Sequence, residues 1–180
     1  FADTVKLAVE HGIEASGSIS MPFGSPWEGE IPITDVESIV QAYIDVGITE
    51  ISLSDASGMA VPNQVFEMCT FMRAKFPQVK WWLHFHNTRG MAMTNILAAM
   101  QAGITNFDTA IGGLGGCPFV PGATGNISSE DVIHMLDEMG VETGLDVLKI
   151  LEMARGLEDI VGHPGVSYLI KAGRSKDLIR

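Results

Sequence analysis

Apolar residues along this chain fall in two alternating rhythms. Val5, Leu7, Ala8 and Val9 within residues 2–11 predict the tail of a helix that stops at Gly12. From Ile13 to Met21, the residues Ile13, Ala15, Gly17, Ile19 and Met21 alternate with Glu14, Ser16, Ser18 and Ser20, which is the period of a strand. Pro22 to Pro32 is rich in turn formers. Thr34 then stands as an N-cap with Glu37 as its capping-box partner, predicting a helix to about Val46 that Gly47 ends.

The cycle repeats. Thr49 to Leu53 is an apolar strand ending at Ser54-Asp55, followed past Gly58 and Pro62 by a helix from about Asn63 to Lys75. Val79 to His86 is the next strand, and Thr94 to Ala102 the next helix, stopped by Gly103. Ile104 to Ile111 reads as a further strand, and a glycine-rich loop follows. Ser128 or Ser129 caps a helix through Met139, with Glu130 and Asp131 suited to its positive N-terminal end. Gly144 to about Ile160 is a last long helix, broken by Gly162-His163-Pro164-Gly165 before a short terminal helix or loose end.

Strand and helix therefore alternate with short connections, the pattern of parallel strands joined by right-handed crossovers. The whole chain, residues 1–180, reads as a single domain. Four such units are half of an eight-stranded (β/α)8 barrel, or else a small open doubly wound α/β sheet. Ser20, Asp55, His84, His86 and the glycine loop all fall at the C-terminal ends of predicted strands. Both architectures place their active sites there.

Composition narrows the class. With 46% hydrophobic and 18% charged residues, the chain is globular. Eleven Lys and Arg against 22 Asp and Glu give a net charge of −11, which opposes a nucleic-acid partner. An anionic small substrate stays open, because local charge can oppose the global sign. No apolar run approaches the roughly 20 residues of a membrane span, so no membrane partner is expected. Two cysteines, Cys69 in a helix and Cys117 in a loop, suit a reducing, cytoplasmic compartment better than a disulfide scaffold. The chain opens at Phe1 directly in a helical pattern, and further sequence is expected upstream.

His84 and His86 are the first candidates for chemistry. In a strand, residues i and i+2 share a face with Cα atoms roughly 6.5–7 Å apart, a spacing that lets two imidazoles meet one divalent ion. The alternative is two solvated polar residues at a strand end. Their strand is otherwise apolar, so interior-facing histidines would need partners. Asp55 could ligate, orient a histidine or shuttle a proton, or it could simply cap the turn Asp55-Ala56-Ser57-Gly58.

Gly112 to Asn126 is too rich in glycine to pack a core, and it lacks the Lys-Ser/Thr ending of a P-loop. A surface turn and a ligand-cradling loop both remain open. Cys117 in it could serve as proton donor or nucleophile when the loop closes. Asn126 could be an oxygen ligand or a turn residue, and Arg89 could attract an anion or pair with a carboxylate. His11 and His134 are expected on helix surfaces and His163 in a turn, with Cys69 and the many methionines as core filler.

Four segments occur in order: Ser52-Leu53-Ser54-Asp55, His84-Phe85-His86-Asn87-Thr88-Arg89-Gly90, Gly113-Leu114-Gly115-Gly116-Cys117-Pro118 and Gly122-Ala123-Thr124-Gly125-Asn126. Together they resemble the 3-hydroxy-3-methylglutaryl-CoA lyase family, within a wider set of metal-dependent TIM-barrel lyases and Claisen-type synthases. The resemblance runs over about residues 1–155. The Gly-Leu-Gly-Gly-Cys-Pro loop is its specific part, and the histidine pair is shared by the wider set.

The resemblance implies a (β/α)8 barrel of which these are the fifth to eighth strands. It implies that His84 and His86 ligate a divalent cation, Mg²⁺ or Mn²⁺, with Asn126 supplying an oxygen. Cys117, Asp55 and His84 are then the candidates for the chemistry itself, and an acyl-CoA thioester the substrate. A homo-oligomer, in the simplest case a dimer, is expected. Asn87 departs from an aspartate common after the second histidine. An arginine–aspartate pair on the family's first strand and a glutamate on its second have no counterpart here, so these 180 residues alone are expected to turn over little substrate.

Overall fold

The computed structural model describes residues 2–178. It contains helix α1 (Ala2–Glu10), strand β1 (Gly17–Ser20), α2 (Ile33–Asp45), β2 (Glu50–Asp55), α3 (Pro62–Lys75), β3 (Lys80–Phe85), α4 (Ala92–Gln101), β4 (Phe107–Asp108), α5 (Ser129–Glu138), α6 (Val147–Val161) and α7 (Tyr168–Ala172). The four strands are all parallel and lie in chain order, β1-β2-β3-β4. Helices α2, α3 and α4 are the crossovers that return the chain to start the next strand alongside the last.

Alternation along the strands divides the sheet into two unlike faces. Ile51, Leu53, Leu83 and Phe85 are buried with Val65, Met68, Cys69 and Met72 of α3 and Ile96 and Ala99 of α4 in one continuous core. The opposite face carries Ser18 and Ser20, Ser52 and Ser54, Trp82 and His84, and Asp108, matched across the register. At the N-terminal end of this face Lys80 bonds Glu50 at 2.8 Å and sits over the Trp82 ring at 4.9 Å.

The strand–helix alternation matches the reading of the sequence, and the limits of three strands differ. The alternating run from Ile13 gives only Gly17–Ser20 as strand; Ile13 is 62% exposed, and its N–H closes a turn onto the Ala8 carbonyl. The run from Ile104 to Ile111 pairs only at Phe107–Asp108. Residues 79 and 86 flank β3 rather than belonging to it.

Helix starts moved as well. In α2 the extended backbone of Pro32 occupies the N-cap, and no side chain caps it. Thr34 lies inside the helix, and Glu37 instead pairs with Lys75 of α3 at 2.5 Å. In α6 the cap is Asp146, whose carboxylate accepts the N–H groups of Leu148 and Lys149. Between α3 and α4, Arg73 reaches 2.5 Å to the Ala102 carbonyl and so satisfies the end of α4 where Gly103 turns the chain.

Candidate active site

Strand register brings the two histidines together. His84 stands beside Ser54 on the polar face, and His86 follows on the same side just past the end of β3. Their ring centroids are 5.2 Å apart at 66°. His86 is buried, and burial, followed by the nearby His84, holds its pKa below the ordinary imidazole value. The ring is thus neutral near pH 7, with a lone pair to offer.

Asn126 joins them through the backbone. After the glycine loop the chain passes back beside β3, with His86 bridged to Asn126, the Asn87 N–H bonded to the Gly125 carbonyl at 2.9 Å and the Ile127 N–H to the Phe85 carbonyl at 3.2 Å. Among the described residues, two buried atoms at this junction have no hydrogen-bond partner: Nδ1 of His86 and Oδ1 of Asn126. A buried nitrogen lone pair and a buried amide oxygen left unpaired are costly unless something binds there. A borderline-hard divalent cation fits such a nitrogen and oxygen set. No group of three or more His, Cys, Asp or Glu side chains able to hold a metal occurs among the described residues; what the junction offers is two imidazoles and one amide.

The loop from Leu114 to Gly125 narrows to a neck at Asn126. Nδ2 of Asn126 donates to the Leu114 carbonyl at 2.6 Å. A Cβ on Gly125, whose φ is +101°, would overlap the Gly115 carbonyl oxygen, so the two limbs pass backbone against backbone. Cys117 is a half-buried free thiol on this loop, while Phe119 beyond it is 78% exposed.

The loop's root is held from behind. The N–H of Gly112 donates to both carboxylate oxygens of buried Glu130, at 3.2 and 3.1 Å. Its carbonyl accepts the Val166 N–H at 2.9 Å. Next to Glu130, Asp131 accepts from Ser128 Oγ at 2.5 Å, from Ser167 Oγ at 2.8 Å and from the N–H groups of Tyr168 and Leu169 at 2.9 and 2.8 Å. The C-terminal helix α7 is thereby tied to α5 under the loop. In the sequence these two acids read as dipole partners of α5; both are buried and tied to distant segments instead.

Of the roles the sequence left open for Asp55, the structure shows it bonded within the turn that follows β2. It shares parity with Ile51 and Leu53 and is paired with Phe85, so it lies on the helix-packed face. It is 1% exposed, and its carboxylate accepts Ser57 Oγ, Met59 N–H and Ala60 N–H at 3.0 to 3.1 Å. Burial raises its pKa, with those hydrogen bonds opposing the rise. It organises the turn after β2, whose Ser57 and Gly58 carbonyls accept Arg89 at 3.0 and 3.3 Å. Arg89 is thus engaged with carbonyls rather than with a carboxylate.

Other titratable residues sort simply. His163 is an exposed turn residue, whereas His134 is only half-exposed on α5. Sequence reading passed over Asp108, the carboxylate beside His84 in the register. Its signal was parity: it falls on the same side as the histidine of the neighbouring strand.

A family model described as HMGL-like matches residues 1–156. The chain belongs to the HMGL-like family. Its relatives include the (R)-citramalyl-CoA lyase of Chloroflexus aurantiacus, 41% identical over 162 residues, which are 90% of this chain and 51% of that protein. The hydroxymethylglutaryl-CoA lyase YngG of Bacillus subtilis is 42% identical over 146 residues, 81% of this chain and 49% of that one. Among solved structures, an HMG-CoA lyase from Acinetobacter baumannii, in complex with coenzyme A and 3-methylmalate, superposes with a TM-score of 0.93 at 41% identity. That match covers all of this chain and 59% of the other.

This HMGL-like chain spans about half the length of the curated relatives it matches. Its parallel sheet and strand–helix units make up about half of a lyase TIM barrel. The polar sheet face is then the barrel interior, and the histidines stand at its C-terminal mouth. No helix among the described residues is long and apolar enough to cross a membrane.

Proposed function

We propose that this chain supplies one wall of the active site of a divalent-cation-dependent carbon–carbon lyase that cleaves 3-hydroxy-3-methylglutaryl-CoA to acetyl-CoA and acetoacetate. The observation that carries the reading is the pair of unpartnered buried atoms, His86 Nδ1 and Asn126 Oδ1, beside His84 at the sheet's C-terminal end. The family supports the reaction class, and the hydroxymethylglutaryl-CoA lyase relative supports the substrate.

His84, His86 and Asn126 would hold Mg²⁺ or Mn²⁺. When bound, the ion supplies Lewis acidity to the substrate's hydroxyl and carbonyl oxygens. His84, the less buried of the pair, faces the space where the substrate would lie and is the residue we assign to the hydroxyl as it loses its proton. As that O–H bond breaks, its proton passes to the ring nitrogen of His84 left free of the cation and from there to solvent, its electrons form the new carbonyl, the C2–C3 bond breaks, and that bond's electron pair passes into the thioester enolate. The Cys117 thiol then gives its proton to the enolate carbon, and the thiolate recovers a proton from solvent. Asp55 acts at one remove, by holding the turn after β2.

One observation favours a second substrate. The (R)-citramalyl-CoA lyase relative is as similar as the hydroxymethylglutaryl-CoA one. A Claisen-type condensing synthase uses the same site chemistry in reverse. We place the enzyme as a homodimer in the reducing cytoplasm, where the Cys117 thiol stays available.

The test is a lyase assay of the full-length protein with each thioester, with Mg²⁺ or Mn²⁺ and with chelator. Cleavage of hydroxymethylglutaryl-CoA that needs the cation supports the reading. Preference for citramalyl-CoA moves it to the second substrate, and cation-independent cleavage overturns it. Cys117→Ala is expected to cut turnover at least about a hundredfold while leaving cation affinity unchanged; unchanged turnover removes the cysteine from the mechanism.

A further inference from the structure

The Asn126 side chain has two ends with different occupations. Its Nδ2 donates to the Leu114 carbonyl at 2.6 Å, across the neck of the Cys117 loop. Its Oδ1 is buried and, among the described residues, has no partner. The amide cannot be turned round, because Leu114 offers only an acceptor and the nitrogen end must face it. The oxygen is therefore the end left free of the neck, on a residue whose backbone is bridged to that of His86.

We propose that Asn126 couples capture of a divalent cation to closure of the Cys117 loop, with the ion on Oδ1 tightening the neck through Nδ2. The inference rests on the cation reading above and adds the loop to it. An ion at Oδ1 draws electron density through the conjugated amide and makes its N–H a stronger donor to Leu114. Hydrogen bonds polarised in series strengthen one another in this way.

The neck is built to feel that change. A Cβ on Gly115 would sit 2.7 Å from Asn126 Nδ2, and one on Gly113 would sit 3.1 Å from the Asn126 carbonyl oxygen. The incoming limb of the loop thus lies directly against Asn126, the residue that ends the outgoing limb. Since coupling is reciprocal, a closed loop in turn presents Oδ1 ready-placed and raises cation affinity.

Asn126→Asp separates the two roles, since aspartate keeps an oxygen ligand but cannot donate to Leu114. In the full-length protein, Mn²⁺ binding is measured by electron paramagnetic resonance. Iodoacetamide labelling of Cys117 is followed by peptide mass spectrometry, with and without saturating Mn²⁺. In the wild type, Mn²⁺ is expected to slow labelling about fivefold or more. In Asn126→Asp, Mn²⁺ still binds, and the protection is lost.

Equal protection in the variant overturns the coupling, as does Mn²⁺ binding without protection in the wild type. Absence of Mn²⁺ binding to the wild type overturns the cation reading itself. Hydrogen exchange of residues 113–125 in the wild type reads the same coupling without any variant. Exchange slowed by Mn²⁺ supports it, and exchange unchanged by bound Mn²⁺ overturns it.

Discussion

The backbone of Gly125 crosses that of Gly115 so closely that a single added methyl group on Gly125 would overlap the Gly115 carbonyl oxygen. Gly125 also has a φ of +101°, where side chains other than hydrogen are strained. Gly125→Ala should therefore open the loop neck and destabilise the protein by roughly 1–3 kcal/mol. Gly122→Ala, at φ +71° with nothing within 4 Å, is the control and should cost about 1 kcal/mol. Urea unfolding of the two variants decides; equal losses would show that the crossing is not tight in solution.

The two thiols should differ sharply in reactivity. Burial pushes the Cys69 thiol up to about 12, so at pH 8 almost none is thiolate. Cys117 is half-buried on the loop. Iodoacetamide at pH 8 should label Cys117 alone in the native protein and both cysteines in denaturant. Native labelling of Cys69 would contradict the packing of α3.

Asp131 carries an unusual share of tertiary hydrogen bonding. Asp131→Ala leaves Ser128, Ser167 and two backbone N–H groups of α7 without their acceptor. The expected loss is on the order of 3 kcal/mol, and amide exchange in α7 should rise more than elsewhere. A uniform rise across the chain would instead indicate a purely global effect.

Asp55 gives a pH dependence of defined sign. Its folded pKa is raised by burial, so the native state binds the proton more tightly than the unfolded chain, whose value is about 3.9. The stability this provides is full below the unfolded value and is lost as pH rises through the folded value. Compared with Asp55→Asn, the wild type should therefore lose ground as pH climbs from 4 upward. Unfolding free energies at several pH values between 4 and 6 test this, and a gap moving in the wild type's favour contradicts it.

Much of this was legible in the sequence, because strand parity and glycine punctuation are local signals. The pairing of His84 with His86 follows from a period of two, and the β-α alternation from the spacing of glycines at helix ends. The same period misled at Ile13, where alternation continues but no neighbouring strand is there to pair. The role of Asp55 was left open because being at a strand end says nothing of which face a side chain takes; counting from Ile51 and Leu53 puts it on the helix-packed face. Asp131 and Ser167 lie 36 positions apart, and no local pattern connects them. The cap at Thr34 failed because Pro32 already supplied the extended residue from which α2 starts.

The bond from Val166 to the Gly112 carbonyl also bears on the order in which the protein is made. A chain leaves the ribosome N-terminus first and folds in that sense. His84, His86 and Cys117 emerge well before Val166, whose N–H latches the loop's root. A nascent chain thus displays its cysteine on an unlatched loop until Val166 has been translated, and ribosomes that stop short of residue 166 release a protein with both histidines and Cys117 present and the fastening of the loop missing.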